Sequence, residues 1–183
     1  SDNTNGTELW KSDGTASGTV IVKDIYPGNE NSFPSFFTNI NGTLFFSAND
    51  NTSGKELWKT DGTNAGTVLV KDIYPGLTNS SPENLINADG TLLFSATDAT
   101  NGTELWKSDG TTIGTVLLKD IALGSGNALP TYLINVNGTL FFSSNDSTNG
   151  TELWKSDGTA AGTVLVKDIN PGTENSSPQF LTN

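Results

Sequence analysis

Gly6-Thr7-Glu8-Leu9-Trp10-Lys11-Ser12-Asp13-Gly14-Thr15 returns almost unchanged from Gly54, Gly102 and Gly150. It places Trp10, Trp58, Trp106 and Trp154 at a constant spacing of 48 residues. A fixed period without insertions marks one supersecondary unit copied head to tail. The 183 residues therefore hold somewhat fewer than four copies.

One copy reads as four short strands. In the second copy, Ser32 to Asn41 leads into Asn41-Gly42, then into Thr43 to Asp50. Asn-Gly is a strong hairpin signal, because a type I′ turn needs positive φ at both central residues. Asp89-Gly90 and Asn137-Gly138 take the same place in the next copies. A polar loop follows, then the strand around Leu57-Trp58. Asp61-Gly62-Thr63 turns the chain into the fourth strand, around Val68 to Lys71. Tyr74-Pro75-Gly76 closes the unit, and no segment shows the apolar period of a helix.

Apolar residues are adjacent within these strands, as in Leu57-Trp58, Phe45-Phe46 and Val68-Leu69-Val70. Neighbours along a strand point to opposite faces, so both faces of each sheet need cover. Four-stranded sheets covered on both sides by their own copies describe a β-propeller. The expected architecture is all-β: 48-residue four-stranded antiparallel blades, about four repeats, the last lacking one strand. The expected division is 1–28 for the third and fourth strands of a first blade, then blades 29–76, 77–124 and 125–172. Residues 173–183 would be a first strand alone. Asn183 aligns with Asn39, so the nine residues matching Ile40 to Ala48 are missing from the last copy. That pattern leads to the expectation of a larger propeller, completed by further repeats or by self-association.

The strand order with a Trp on the third strand parallels the WD-repeat blade. The repeat resembles more closely the bacterial ELWxxDGT-repeat proteins, also called hyalin-like, through Glu8-Leu9-Trp10 and Asp13-Gly14-Thr15 and their three copies. The resemblance spans nearly the whole chain. It implies large secreted or surface-exposed repeat proteins, commonly without an assigned activity.

Composition narrows the function classes. The net charge is −11, from 9 cations, all Lys, and 20 carboxylates. No nucleic acid is expected as partner, because the basic patch such binding needs is missing. No apolar run reaches the roughly 20 residues of a spanning helix, so no membrane insertion is expected. Without Cys or His, the chain has no thiol nucleophile, thiolate zinc site or imidazole base.

The acidic residues recur in register. Glu8, Glu56, Glu104 and Glu152 precede Leu-Trp. Asp13, Asp61, Asp109 and Asp157 sit in the Asp-Gly-Thr turn. Asp24, Asp72, Asp120 and Asp168 follow a Lys. A carboxylate pair for glycoside hydrolysis is one reading. The preferred reading is structural: turn capping by Asp and Lys–Glu pairing across strands. The four Trp are likewise expected in the core, each indole N–H needing an acceptor.

Two sets remain as candidate sites. Asp50, Asp98 and Asp146 recur in polar loops with a Gly four residues on, which suggests calcium; no other cofactor is expected. The connections from fourth to first strand vary between copies. There Tyr26, Asn29, Glu30, Tyr74 and Asn79 are the candidate rim for a protein or glycan partner. The expected function is a non-enzymatic, extracellular or cell-surface module for adhesion, matrix or partner binding. The alternatives are a lectin with one glycan site per blade and, third, a carboxylate-based polysaccharide-active enzyme.

Overall fold

The computed structural model describes residues 1–182 and contains no helix among them. It is all-β, with one two-stranded and three four-stranded antiparallel sheets. The chain divides into two compact units, Ser1–Pro82 and Glu83–Asn183.

In the first unit, β1 (Leu9–Lys11) pairs with β2 (Val20–Lys23). A meander follows: β3 (Ser35–Ile40), β4 (Thr43–Asn49), β5 (Lys55–Thr60) and β6 (Val68–Lys71), hydrogen-bonded in that order. Asn41 and Gly42 join β3 to β4 with φ of 51° and 88°, as a type I′ turn requires. Phe46 on β4 stands opposite Trp58 on β5, and Trp58 opposite Leu69 on β6.

The second unit repeats the meander twice. β7 (Glu83–Ala88), β8 (Thr91–Asp98), β9 (Gly102–Ser108) and β10 (Val116–Lys119) form one sheet. β11 (Thr131–Val136), β12 (Thr139–Asn145), β13 (Thr151–Ser156) and β14 (Val164–Lys167) form the next. The pair Phe94↔Trp106 in one and Phe142↔Trp154 in the other keep the register of Phe46↔Trp58.

The doubled apolar residues of each strand now have an explanation. In the first unit, Leu9, Val22 and Ile25 of the two-stranded sheet pack against Phe46, Ala48 and Trp58 of the next. In the second unit, Leu93, Leu105, Leu118 and Ile121 of one sheet pack against Leu140, Phe142 and Trp154 of the next. Each sheet thus presents a Leu face to the sheet after it and a Trp face to the sheet before it. Leu and Trp are neighbours in sequence, so one dipeptide serves two interfaces. Phe46, Phe94, Phe142, Leu57 and Leu105 are fully buried as a result. Trp10, on the two-stranded sheet, is 38% exposed, whereas Trp58 is 5% exposed.

Three expectations need correction. Residues 173–182 form no strand, although a first strand was expected at 173–183; Asn183 itself lies outside the described residues. In the other copies this strand pairs with the one after the Asn-Gly turn, and the chain has no such turn here. The indole N–H groups of Trp58, Trp106 and Trp154 are buried without an acceptor. The Trp face that packs on Leu, Val and Ile side chains offers no oxygen, and each orphan donor costs about 1–3 kcal/mol. The repeated Glu residues turn inward to backbone donors, described below, rather than outward to Lys.

Trp58→Ala is expected to lower stability by ~3–5 kcal/mol, as for a large core aromatic. Trp10→Ala should cost less than half of that. Equilibrium urea unfolding of the two variants measures the difference, and equal losses would contradict the face-packing account.

Candidate functional site

The repeated carboxylates sit in four kinds of place. On β5, Glu56 is fully buried, and its carboxyl accepts from Ile73 N at 2.8 Å, Ser80 N at 2.8 Å and Ser80 Oγ. On β9, Glu104 accepts from the backbone N–H groups of Ile121, Ala122 and Ala128. Glu8 and Glu152 make the corresponding bonds to Ile25 and Ser32, and to Ile169 and Ser176. One side chain therefore holds the connection at two points, just after the fourth strand and just before the next first strand.

The electrostatics of these groups differ with their cover. Burial pushes the Glu56 and Glu104 carboxyls up to about 7, against the lowering effect of their donors; nearby Asp72 and Asp120 add to the rise. Burial also pushes Glu152 up, but the bonds from Ser176 and Ile169 outweigh it and leave it below the usual range.

Asp61 caps its turn through Thr63 N at 2.9 Å and Thr63 Oγ1 at 2.7 Å. Asp13, Asp109 and Asp157 do the same at Thr15, Thr111 and Thr159. The Thr hydroxyl bond holds Asp13, Asp61 and Asp157 below the ordinary Asp value. A Cβ placed on Gly66 would stand 2.0 Å from the Asp61 carboxylate, so this turn needs its second glycine as well.

The proposed calcium positions are also turn caps. Asp50 Oδ1 accepts from Thr52 N and Ser53 N, Asp98 Oδ1 from Thr100 N and Asn101 N, and Asp146 Oδ1 from Thr148 N and Asn149 N. Burial pushes Asp146 up, but the donors of Asn149 and Thr148 hold it below its ordinary value. Asp2 joins this set through Thr4 N and Asn5 N. No cluster of three or more acidic side chains suited to a metal occurs among the described residues. Each loop supplies one carboxylate, and that carboxylate already serves backbone donors.

Asp24, Asp72, Asp120 and Asp168 accept through Oδ2 from the N–H of Gly28, Gly76, Gly124 and Gly172. Their Oδ1 atoms are buried and unpaired.

The candidate rim residues fall on two successive connections. Asn29 and Glu30 are exposed, with their backbone carbonyls close over Gly6. Tyr26 and Tyr74 are half-buried and form no ring contact with each other. Asn79 departs from its expected role: its Oδ1 accepts from Lys55 N at 2.7 Å, pinning the connection to the loop before β5. Asn31, Asn127 and Asn175 make the same bond to Thr7, Thr103 and Thr151. Their presence in every copy was the available signal, hidden by variation on either side. Asn29, Glu30 and the exposed Leu77 remain as variable outward positions.

A different kind of site lies on the first strands. A bulge interrupts each, between Ser35 and Thr38, Glu83 and Ile86, and Thr131 and Ile134. Within it Phe36, Asn84 and Tyr132 have φ of 56°, 55° and 54°, a left-handed backbone that is costly for side chains of this size. In the second unit a groove of about 460 Å³ runs along β7 and β11, with Asn84 and Tyr132 in its lining.

No protein-family profile matches the sequence. No curated protein matches it either. Among solved structures, the computationally designed protein Ika8 is 17% identical with a TM-score of 0.49; the alignment covers 96% of this chain and 49% of that one. The designed protein Ika4 is 16% identical with a TM-score of 0.44, over 93% of this chain and 83% of that one. An α-L-arabinofuranosidase from Clostridium thermocellum is 16% identical with a TM-score of 0.35, over 79% and 52%. The chain thus spans about half the length of the first of these structures.

The raised carboxyls make stability depend on pH. A folded-state value near 7 against an ordinary 4.5 means that the folded protein holds the proton over that interval. The contribution of Glu56 and Glu104 is complete below about pH 4.5 and is lost as pH rises through about 7. The urea midpoint is expected to fall between about pH 5 and about pH 8. Glu56→Gln with Glu104→Gln should flatten that fall, and an unchanged slope in the double variant would contradict the assignment.

Proposed function

We propose that the chain is a segment of a β-propeller, its three four-stranded sheets being blades, and that it acts as a non-enzymatic binding module of a secreted or cell-surface protein. Adhesion, matrix or partner binding is the corresponding role. The observation that carries this reading is the engagement of the repeated carboxylates. Glu8, Glu56, Glu104 and Glu152, and the turn aspartates with them, spend their oxygens on backbone donors of their own copy. Carboxylates so engaged, in like surroundings from copy to copy, lack the contrast that separates a general acid from a nucleophile.

The propeller reading is supported by the Leu face and Trp face of successive sheets, which make an open-ended stack. The resemblance to the ELWxxDGT repeats points the same way and suggests the bacterial surface setting. The connections supply the variation a binding surface needs, with Asn29, Glu30 and Leu77 turned outward on a scaffold braced from beneath.

The test compares binding and turnover. Labelled protein applied to bacterial and host cell surfaces and to matrix proteins is expected to bind saturably. Combined Asn29→Ala, Glu30→Ala and Leu77→Ala should weaken binding by about tenfold, about 1.4 kcal/mol, while leaving the urea midpoint unchanged. Release of reducing ends from a polysaccharide panel, abolished by Glu104→Gln in a folded protein, would overturn the non-enzymatic reading.

A further inference from the structure

We infer that the groove along β7 and β11 in the second unit is a binding site for a neutral sugar, with Tyr132 as the stacking platform and Asn84 as the polar contact. This rests on the reading of the chain as a binding module, but it places a ligand away from the connections.

The volume comes first. At about 460 Å³ the groove falls within the span of small-molecule sites. Its lining is Asn84, Leu85, Ile86, Thr131, Tyr132 and Leu133. Apolar side chains with one ring, one amide and one hydroxyl are the mixture expected of a ligand site, where few polar groups fix orientation.

The second argument is the aim of the two polar residues. In a regular strand, side chains alternate between faces. Bulges between Glu83 and Ile86 and between Thr131 and Ile134 break that alternation at Asn84 and Tyr132. A bulge re-aims a side chain at the expense of ladder pairing. The left-handed backbone recurs in every copy, but the residues on it do not: Phe36, Asn84, Tyr132 and Phe180 occupy equivalent places. The repeat thus provides a fixed mounting, and the side chain mounted on it varies.

The third argument is preorganisation. Asn84 Nδ2 donates to Pro130 O at 3.1 Å, which fixes the amide across the groove and leaves Oδ1 without a hydrogen bond. The Tyr132 ring is braced by Phe180, with centroids 5.6 Å apart and planes at 58°. It still keeps 39% of its surface exposed. A braced ring with an open side and a fixed amide oxygen suit a pyranose, whose C–H face stacks on an aromatic ring while its hydroxyls donate to the amide.

Charge selects among ligands. No Asp, Glu or Lys lines the groove, so nothing there compensates a charged ligand. The chain as a whole carries −11, which repels anions. A neutral polyhydroxylated ring satisfies both conditions.

The test is titration of isotope-labelled full chain with cellohexaose, mannohexaose and xylohexaose, followed by amide chemical shifts. A hexamer of galacturonate and one of glucosamine serve as charged controls. At least one neutral hexasaccharide is expected to give saturable shifts centred on Asn84, Thr131 and Tyr132, with neither charged hexamer doing so. Tyr132→Asn should weaken binding by about tenfold or more. That variant is compatible with the backbone, because Asn84 has the same φ in the preceding copy. Tyr132→Phe should keep the affinity, and Tyr26→Ala with Tyr74→Ala should leave it unchanged. Absence of saturable shifts with all three neutral sugars at about 10 mM overturns the inference, as do shifts centred on residues 24–32 and 72–80. An empty groove beside a saturable partner at the connections leaves the binding-module reading standing; sugar turnover would remove that reading whatever the groove does.

Discussion

The buried glutamate on the third strand is the constraint on which the rest depends. A carboxyl group can sit at a dry position only if it is protonated or surrounded by donors. Glu56 and Glu104 find those donors in the connection that leaves their own sheet. The connection would otherwise carry unpaired N–H groups past a sheet end. Both problems have one solution, and it recurs at Glu8 and Glu152. The connection is thereby held at its start and its end. The Asn at residues 31, 79, 127 and 175 adds a third point, onto the loop before the third strand. What projects between these points is free to vary without loosening the scaffold.

The second consequence is directional. Because Leu57 and Trp58 face opposite ways, a sheet of this kind is not finished on either side. Within each unit the Leu face of one sheet meets the Trp face of the next. Such an interface is heterologous, so it builds a sequence of sheets rather than a closed pair. The exposure of Trp10 is what an uncovered Trp face looks like. The same logic explains why no strand shows the one-sided alternation of a simple sandwich.

Much of the fold was legible in the residues. The Asn-Gly and Asp-Gly turns, the four-strand order and the two-faced strands all follow from φ requirements and from the period of side chains along a strand. The role of the repeated Glu was not legible, because its donors lie 17 and 24 residues away and are backbone groups without a side-chain signature. Asn79 was misread as a variable loop residue because Leu77 and Thr78 beside it do vary. The groove was also hidden. Asn84 and Tyr132 fall in runs that read as ordinary strand, and only the bulge shows that they leave the alternation. The second glycine of the Asp-Gly-Thr turn escaped attention for a similar reason: Gly66 matters through its closeness to the Asp61 carboxylate.

The most direct test of this account is native-state hydrogen exchange at the amides of Ile73, Ser80, Ile121 and Ala128. These lie in connections, where exposed amides exchange quickly. If the glutamates bracket the connections, the four amides exchange as slowly as the strand amides of β5 and β9, and Glu56→Ala and Glu104→Ala release them. Exchange at the rate of exposed turns in the unsubstituted protein would contradict the account.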